Sequence, residues 1–247
     1  MTEGPAPAGR STDLAPAAAA ADDGARRAQF LATEHWSLLA TRSMSWNEAF
    51  TRTSMFLSTL SAATVALALA GPAMSFGGAF ALFAVIVLSV TLFLGIATFV
   101  RLVQVNNEDL LWVVGMNKLR GAYARIAPGI EDDFITGWTV DPRGVSKTFG
   151  AIDVTKGSAL HAFVTTPAVV AVIASAIAGV LAGLVAFQLA ARIEMTVVLG
   201  FAAFVISLGT MLFYGIREYE RFIKRLEKEH PAPPTEAVDP ADRVSSR

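Results

Sequence analysis

Apolar and polar positions alternate in blocks along this chain, and the blocks set its architecture. Four strongly apolar stretches, at about Ser54–Pro72, Ala79–Val100, Thr166–Ala190 and Met195–Ile216, contain no Asp, Glu, Lys, Arg or His. Each is close to the roughly 20 residues that an α-helix needs to cross about 30 Å of hydrocarbon. Gly71-Pro72 and Gly77-Gly78 mark a short turn between the first two, and Ala191-Arg192-Ile193-Glu194 a tight turn between the last two. The pattern predicts an all-α polytopic membrane protein. Two transmembrane helical hairpins (52–104 and 165–216) flank a polar connector (105–164), with a helical layer outside the membrane.

Shorter periodicities fill in that layer. Residues 1–25, rich in Ala, Pro and Gly, read as a disordered tail. Residues 26–51 read as an interfacial or cytosolic helix, with Trp36, Leu39, Trp46 and Phe50 near one face. In the connector, Leu102, Val105, Trp112, Val113, Met116, Leu119, Tyr123 and Ile126 recur at helical spacing, so the second span should continue beyond the membrane. The residues Leu102, Val105, Trp112, Met116, Leu119 and Tyr123 form an assembly surface that needs a helical partner. Three candidates exist: the 26–51 helix, the helical tail at 217–230, or another subunit. Residues 231–247, Pro-rich and polar, read as a second disordered tail.

Composition agrees with the blocks. Of 247 residues 53% are hydrophobic and only 17% charged, and mean hydropathy is +0.50. The formal net charge of −1 gives no field that favours nucleic acid. Cysteine is absent, which removes disulfides, thiolate nucleophiles and cysteine metal sites. No cleavable signal peptide is legible at the N-terminus. Of the 20 Lys and Arg residues, 19 fall before the first span, in the connector or after the fourth span. The positive-inside rule then puts both termini and the connector in the cytoplasm of a multi-pass inner-membrane protein.

Candidate chemistry is sparse. Ala171, Ser175, Gly179 and Gly183 repeat every four residues in the third span, a small-residue face that lets two helices approach closely, either between subunits or within the chain. Ser54, Ser58 and Ser61 share a face of the first span and are candidate pore-lining hydroxyls. Asn106-Asn107-Glu108-Asp109 gathers oxygens that a hard cation could use, but contiguous helical residues point in different directions, so a solvated helix start is favoured. Glu131-Asp132-Asp133 reads as a solvated acidic turn. His35, His161 and His230 stand apart, with no metal-ligand spacing. A phosphate loop and a nucleophile elbow are both missing. A lipid enzyme would have only Glu108, Asp109 and His161 to draw on. No catalytic residue, cofactor or metal site is therefore assigned.

Over Asn106-Asn-Glu-Asp-Leu-Leu-Trp-Val-Val-Gly-Met-Asn-Lys-Leu-Arg-Gly-Ala-Tyr-Ala-Arg-Ile-Ala-Pro128, and at Glu34-His-Trp-Ser-Leu-Leu-Ala-Thr-Arg42 with Trp46-Asn-Glu48, the chain resembles a family of uncharacterised bacterial four-span integral membrane proteins. The likeness spans about residues 28–225 and carries no transferable activity. In layout the chain is more distantly similar to two-span SLATT-type membrane effectors, a resemblance that implies oligomeric pore formation and fixes no residue. The expectation is a non-enzymatic inner-membrane protein whose partners are the lipid bilayer and further copies of itself, acting as a scaffold or regulated pore. The alternative is a small-solute channel or carrier.

Overall fold

The computed structural model describes residues 14–148, 165–189 and 192–229. Five α-helices and one 3-10 turn account for most of them, with no strand among the described residues: α1 (Leu14–Ala73), α2 (Gly78–Ile126), the 3-10 turn Ile130–Asp133, α3 (Pro142–Thr148), α4 (Thr166–Gln188) and α5 (Ile193–Glu229). The long helices α1, α2, α4 and α5 are each long and apolar enough to span a membrane. The uncharged stretches named above are the parts suited to hydrocarbon; the rest of each helix lies outside it.

Helix α1 is 60 residues long and unbroken. Residues 14–25 therefore belong to a helix, not to a disordered tail, and 26–51 is not a separate element. The reason is cooperative. Ala17–Ala21 are the best helix formers, Pro16 falls in the first turn where proline is tolerated, and a helix already nucleated downstream extends without a new nucleation cost. The terminal segments 1–13 and 230–247, and the connector stretch 149–164 with His161, lie outside the described residues.

At the far membrane face, α1 and α2 join through a turn in which Ser75 and Phe76 both have φ of 50°. The Phe76 N–H donates to the Gly71 carbonyl (3.0 Å). A Cβ at Gly71 would lie 2.4 Å from the Phe76 ring, so glycine is what lets that ring fold back over the helix end.

The four long helices pack in the serial order α1–α2–α4–α5, and α1 shares its extensive interface with α2 alone. The row is held differently inside and outside the membrane. Within hydrocarbon, lipid tails are as apolar as side chains, so close approach at small residues dominates. Gly95 of α2 sits against Ala174 of α4 and Phe56 of α1, and Gly179 of α4 sits on Gly200 of α5. Outside, burial from water dominates: Leu110, Val113 and Met116 of α2 pack with Val145 of α3 and Leu226 of α5, flanked by Leu38, Tyr219 and Phe222. Each fully buried side chain of this kind contributes about 1.5–3 kcal/mol.

The stripe on α2 therefore finds its partners inside the chain, in both α1 and the α5 tail. Leu102, Val105, Met116 and Leu119 are buried, and Trp112 and Tyr123 partly so. Within one chain Leu102, Val105 and Met116 are taken up in the packing, whereas Trp112 and Tyr123 keep part of their surface open. The inward face of α1 also differs from the aromatic stripe. It runs through Leu38, Arg42, Trp46, Ala49 and Phe56, while Trp36, Leu39 and Phe50 point outward. Ala49, wholly buried, wins the inner position because a small side chain lets two backbones close up.

Candidate functional site

Helices α1 and α2 run antiparallel far beyond the membrane, and the seam between them carries a run of ion pairs and hydrogen bonds. Its register is set by successive pairs: Phe56 with Gly95, Glu48 with Arg101, Arg42 and Trp46 with Asp109, Leu38 with Gly115, and His35 with Tyr123.

Asp109 is the centre. Its carboxylate is 1% exposed. Arg42 donates to it twice, Nε to Oδ1 at 2.5 Å and Nη2 to Oδ2 at 3.0 Å, and the Trp46 indole N–H donates to Oδ1 at 3.0 Å. A buried carboxylate must be paired and hydrogen-bonded or it is strongly unfavourable. The planar guanidinium fork meets that demand with two parallel bonds. Arg42 and Trp46 are four residues apart on α1, so one helix face delivers both donors.

Nearer the membrane, Glu48 accepts from Arg101 (Nη2 to Oε2, 2.9 Å) and from Arg52 (Nε to Oε1, 2.9 Å), while Arg101 Nη1 also donates to Glu108 at 2.8 Å. The Arg101 hydrogen bonds first, and Arg52 next, hold the Glu48 carboxyl down at about 2. Farther out, His35 stacks on Tyr123 with centroids 6.3 Å apart. Burial, and then the charge of Arg120, lower its pKa.

A second polar node pins the segment that follows α2. Asn117 is completely buried. Its Nδ2 donates to the Thr139 carbonyl (2.8 Å), and its Oδ1 accepts from Thr148 Oγ1 (2.7 Å) and Arg120 Nη1 (3.1 Å). Arg120 also reaches the Gly137 carbonyl (3.3 Å). Gly137 and Gly144 pack so tightly that a Cβ on Gly137 would lie 2.0 Å from the Gly144 carbonyl oxygen. The irregular stretch 134–141 is thus fastened to α2 by a single amide side chain and its neighbours.

The residues singled out from sequence separate under this geometry. Asn106-Asn107-Glu108-Asp109 does not converge: Glu108 turns to Arg101 and Asp109 to Arg42. No group of three or more metal-capable side chains occurs among the described residues. Ala171, Ser175 and Gly179 are buried inside the chain. Gly179 meets Gly200, and Ser175 Oγ lies 3.2 Å from Ser207 Oγ. Gly183 faces Thr196 and Gly200 in the same α4–α5 contact. Ser54, Ser58 and Ser61 lie together on the exposed face of α1, turned away from the other helices. Among the described residues of one chain they line no channel.

The Arg42–Asp109 pair was not singled out from the sequence. Its signal was the four-residue spacing of Arg42 and Trp46, together with an acidic residue embedded in the apolar stripe between Val105 and Val113.

Four long apolar helices, an open row and an ion-paired seam define an all-α, polytopic integral membrane protein. Comparison with protein-family models, curated proteins and solved structures finds no match.

Proposed function

We propose that the chain is a non-enzymatic, self-associating scaffold of the inner membrane, with both termini and the extramembrane layer in the cytoplasm. The observation that carries it is the open face of α1. In a row of four helices α1 has one substantial neighbour, and its opposite face bears Asn47, Thr51, Ser54 and Ser58 along a shallow groove extending from the membrane surface into the span, with Ser61 exposed further along the helix. Hydroxyls on a lipid-facing surface gain from a protein neighbour. Their small size also lets a second helix come close.

The charged groups support a structural role rather than a catalytic one. Arg42 with Asp109 and Glu48 with Arg101 hold α1 to α2, and Glu108 braces Arg101 from within α2. A ring of copies with α1 facing inward would place Ser54, Ser58 and Ser61 around a central path, and this is how the same assembly becomes a regulated pore.

The test is the mass of the full-length protein in mild detergent, by light scattering, for the wild type and for the triple variant Ser54→Leu, Ser58→Leu, Ser61→Leu. The expected result is an oligomer that dissociates in the variant. A monomeric wild type overturns the reading.

A further inference from the structure

Around the outer end of α2 the extramembrane layer exposes large apolar side chains to water. Phe30 is 71% exposed, Trp36 73% and Ile135 94%. These residues lie far outside the membrane: α2 continues past Arg101 for roughly 40 Å at about 1.5 Å per residue. Lipid cannot cover them.

Two surfaces lie at this level. The first is the outer arm of α1. His35 is level with Tyr123, so Phe30 stands level with the end of α2 and Arg27 just past it. Both side chains are exposed, and Arg27 has no ion-pair partner among the described residues. The second surface is the segment that leaves α2. There Asp132 and Asp133 are exposed beside Ile135, and they have no basic partner among the described residues. The Asn117 node fixes the backbone just behind Ile135, so the segment is presented at little ordering cost.

The two surfaces are complementary: cation and aromatic ring on one, carboxylates and aliphatic tip on the other. Copies in one membrane share a height and an orientation, so only surfaces at equal distance from the bilayer can meet. We propose that in the assembled protein the α1 arm of one copy, through Arg27 and Phe30, docks on the Asp132, Asp133 and Ile135 segment of the next copy. Two different patches make such a contact head-to-tail, the type that closes into rings when the rotation permits. This inference rests on the self-association proposed above and names its outer interface.

The chain has no cysteine, so introduced thiols report without background. Full-length Phe30→Cys/Ile135→Cys protein in mild detergent is oxidised and run on non-reducing gels beside each single variant. A ladder of covalent dimers and higher species from the double variant, with neither single variant forming dimers efficiently, is the expected result. Three outcomes overturn the inference while leaving self-association standing: an oligomeric protein that does not cross-link, an internal disulfide in a monomer band, or efficient dimers from either single variant. A protein monomeric by light scattering removes both. In parallel, Asp132→Arg/Asp133→Arg is expected to raise the dissociation midpoint by about tenfold, and adding Arg27→Glu to recover most of it. Failure of that recovery also counts against the contact.

Discussion

Arg42 and Asp109 form a two-point ion pair across 67 residues of sequence, with the carboxylate almost wholly buried and the guanidinium one-third exposed. The pair joins α1 to α2 outside the membrane, where an apolar seam alone would allow one helix to slide along the other. A carboxylate that is stable only opposite one arginine and one indole fixes the register.

Removing that carboxylate's charge should therefore cost more than its area suggests. Asp109→Asn is expected to destabilise the extramembrane layer by about 3 kcal/mol, because Arg42 is left facing a neutral partner. Asp109→Ala should cost at least as much. Thermal unfolding of the purified protein in detergent checks both, and a midpoint within a degree of the wild type would contradict the assignment.

Glu48 makes the seam sensitive to acid. Its carboxyl is held at about 2, below the ordinary carboxylate value of 4.5. A depressed pKa contributes stability that is full above the unfolded-state value and is lost as pH falls toward the folded one. The expected outcome is a loss of stability between about pH 4.5 and 2 that is smaller in Glu48→Gln. The measurement is the unfolding midpoint against pH for both proteins.

The α4–α5 contact predicts a contrast between two glycines of one motif. A Cβ at Gly179 would lie 2.8 Å from the Gly200 carbonyl oxygen, whereas one at Gly183 would meet nothing closer than 3.6 Å. Gly179→Ala should thus destabilise by about 1–3 kcal/mol and Gly183→Ala by much less. Unfolding in detergent, read through helix content, separates them; equal losses would show that the two helices do not cross at Gly179.

Asn117→Ala should release the segment after α2. It leaves the Thr139 carbonyl and the Thr148 hydroxyl without their amide partner, at a cost of about 1–3 kcal/mol. Faster cleavage within residues 127–141 in limited proteolysis, with α2 otherwise intact, is the expected sign.

The spans were legible because charge is excluded from hydrocarbon, and a run such as Ser54–Val100 without a single ionisable group has few other readings. The stripe from Leu102 to Ile126 was equally legible as a helix face that needs a cover. What covers it was not, since periodicity identifies a face but not its neighbour; Leu226, more than a hundred residues later, supplies part of the answer. Periodicity did not reveal the inward face of α1, for a physical reason. Large aromatics at Trp36 and Phe50 give a stronger periodic signal than Ala49, yet the tight α1–α2 contact selects the small side chain. Arg42 has no acidic residue at pairing distance in its own segment to mark it, and only Asp109 on the opposite helix makes it part of the interior. Likewise, spacing alone left the Gly179 face with two destinations, and Gly200 decides for the α4–α5 hairpin.

The unbroken run of α1 from Leu14 to Ala73 has a mechanical consequence. Its stem in the bilayer is about 30 Å long and its arm outside roughly 60 Å, with no proline or glycine hinge where the two meet. Such a rod is a lever with its longer side in water. A tilt of about 5° at the stem, within the range that changes in bilayer thickness impose, carries the tip sideways by roughly 5 Å, close to the width of one helical turn. The Arg42–Asp109 pair obliges α2 to follow part of that swing. The far end of α1 thus moves with the thickness of the membrane its other end sits in.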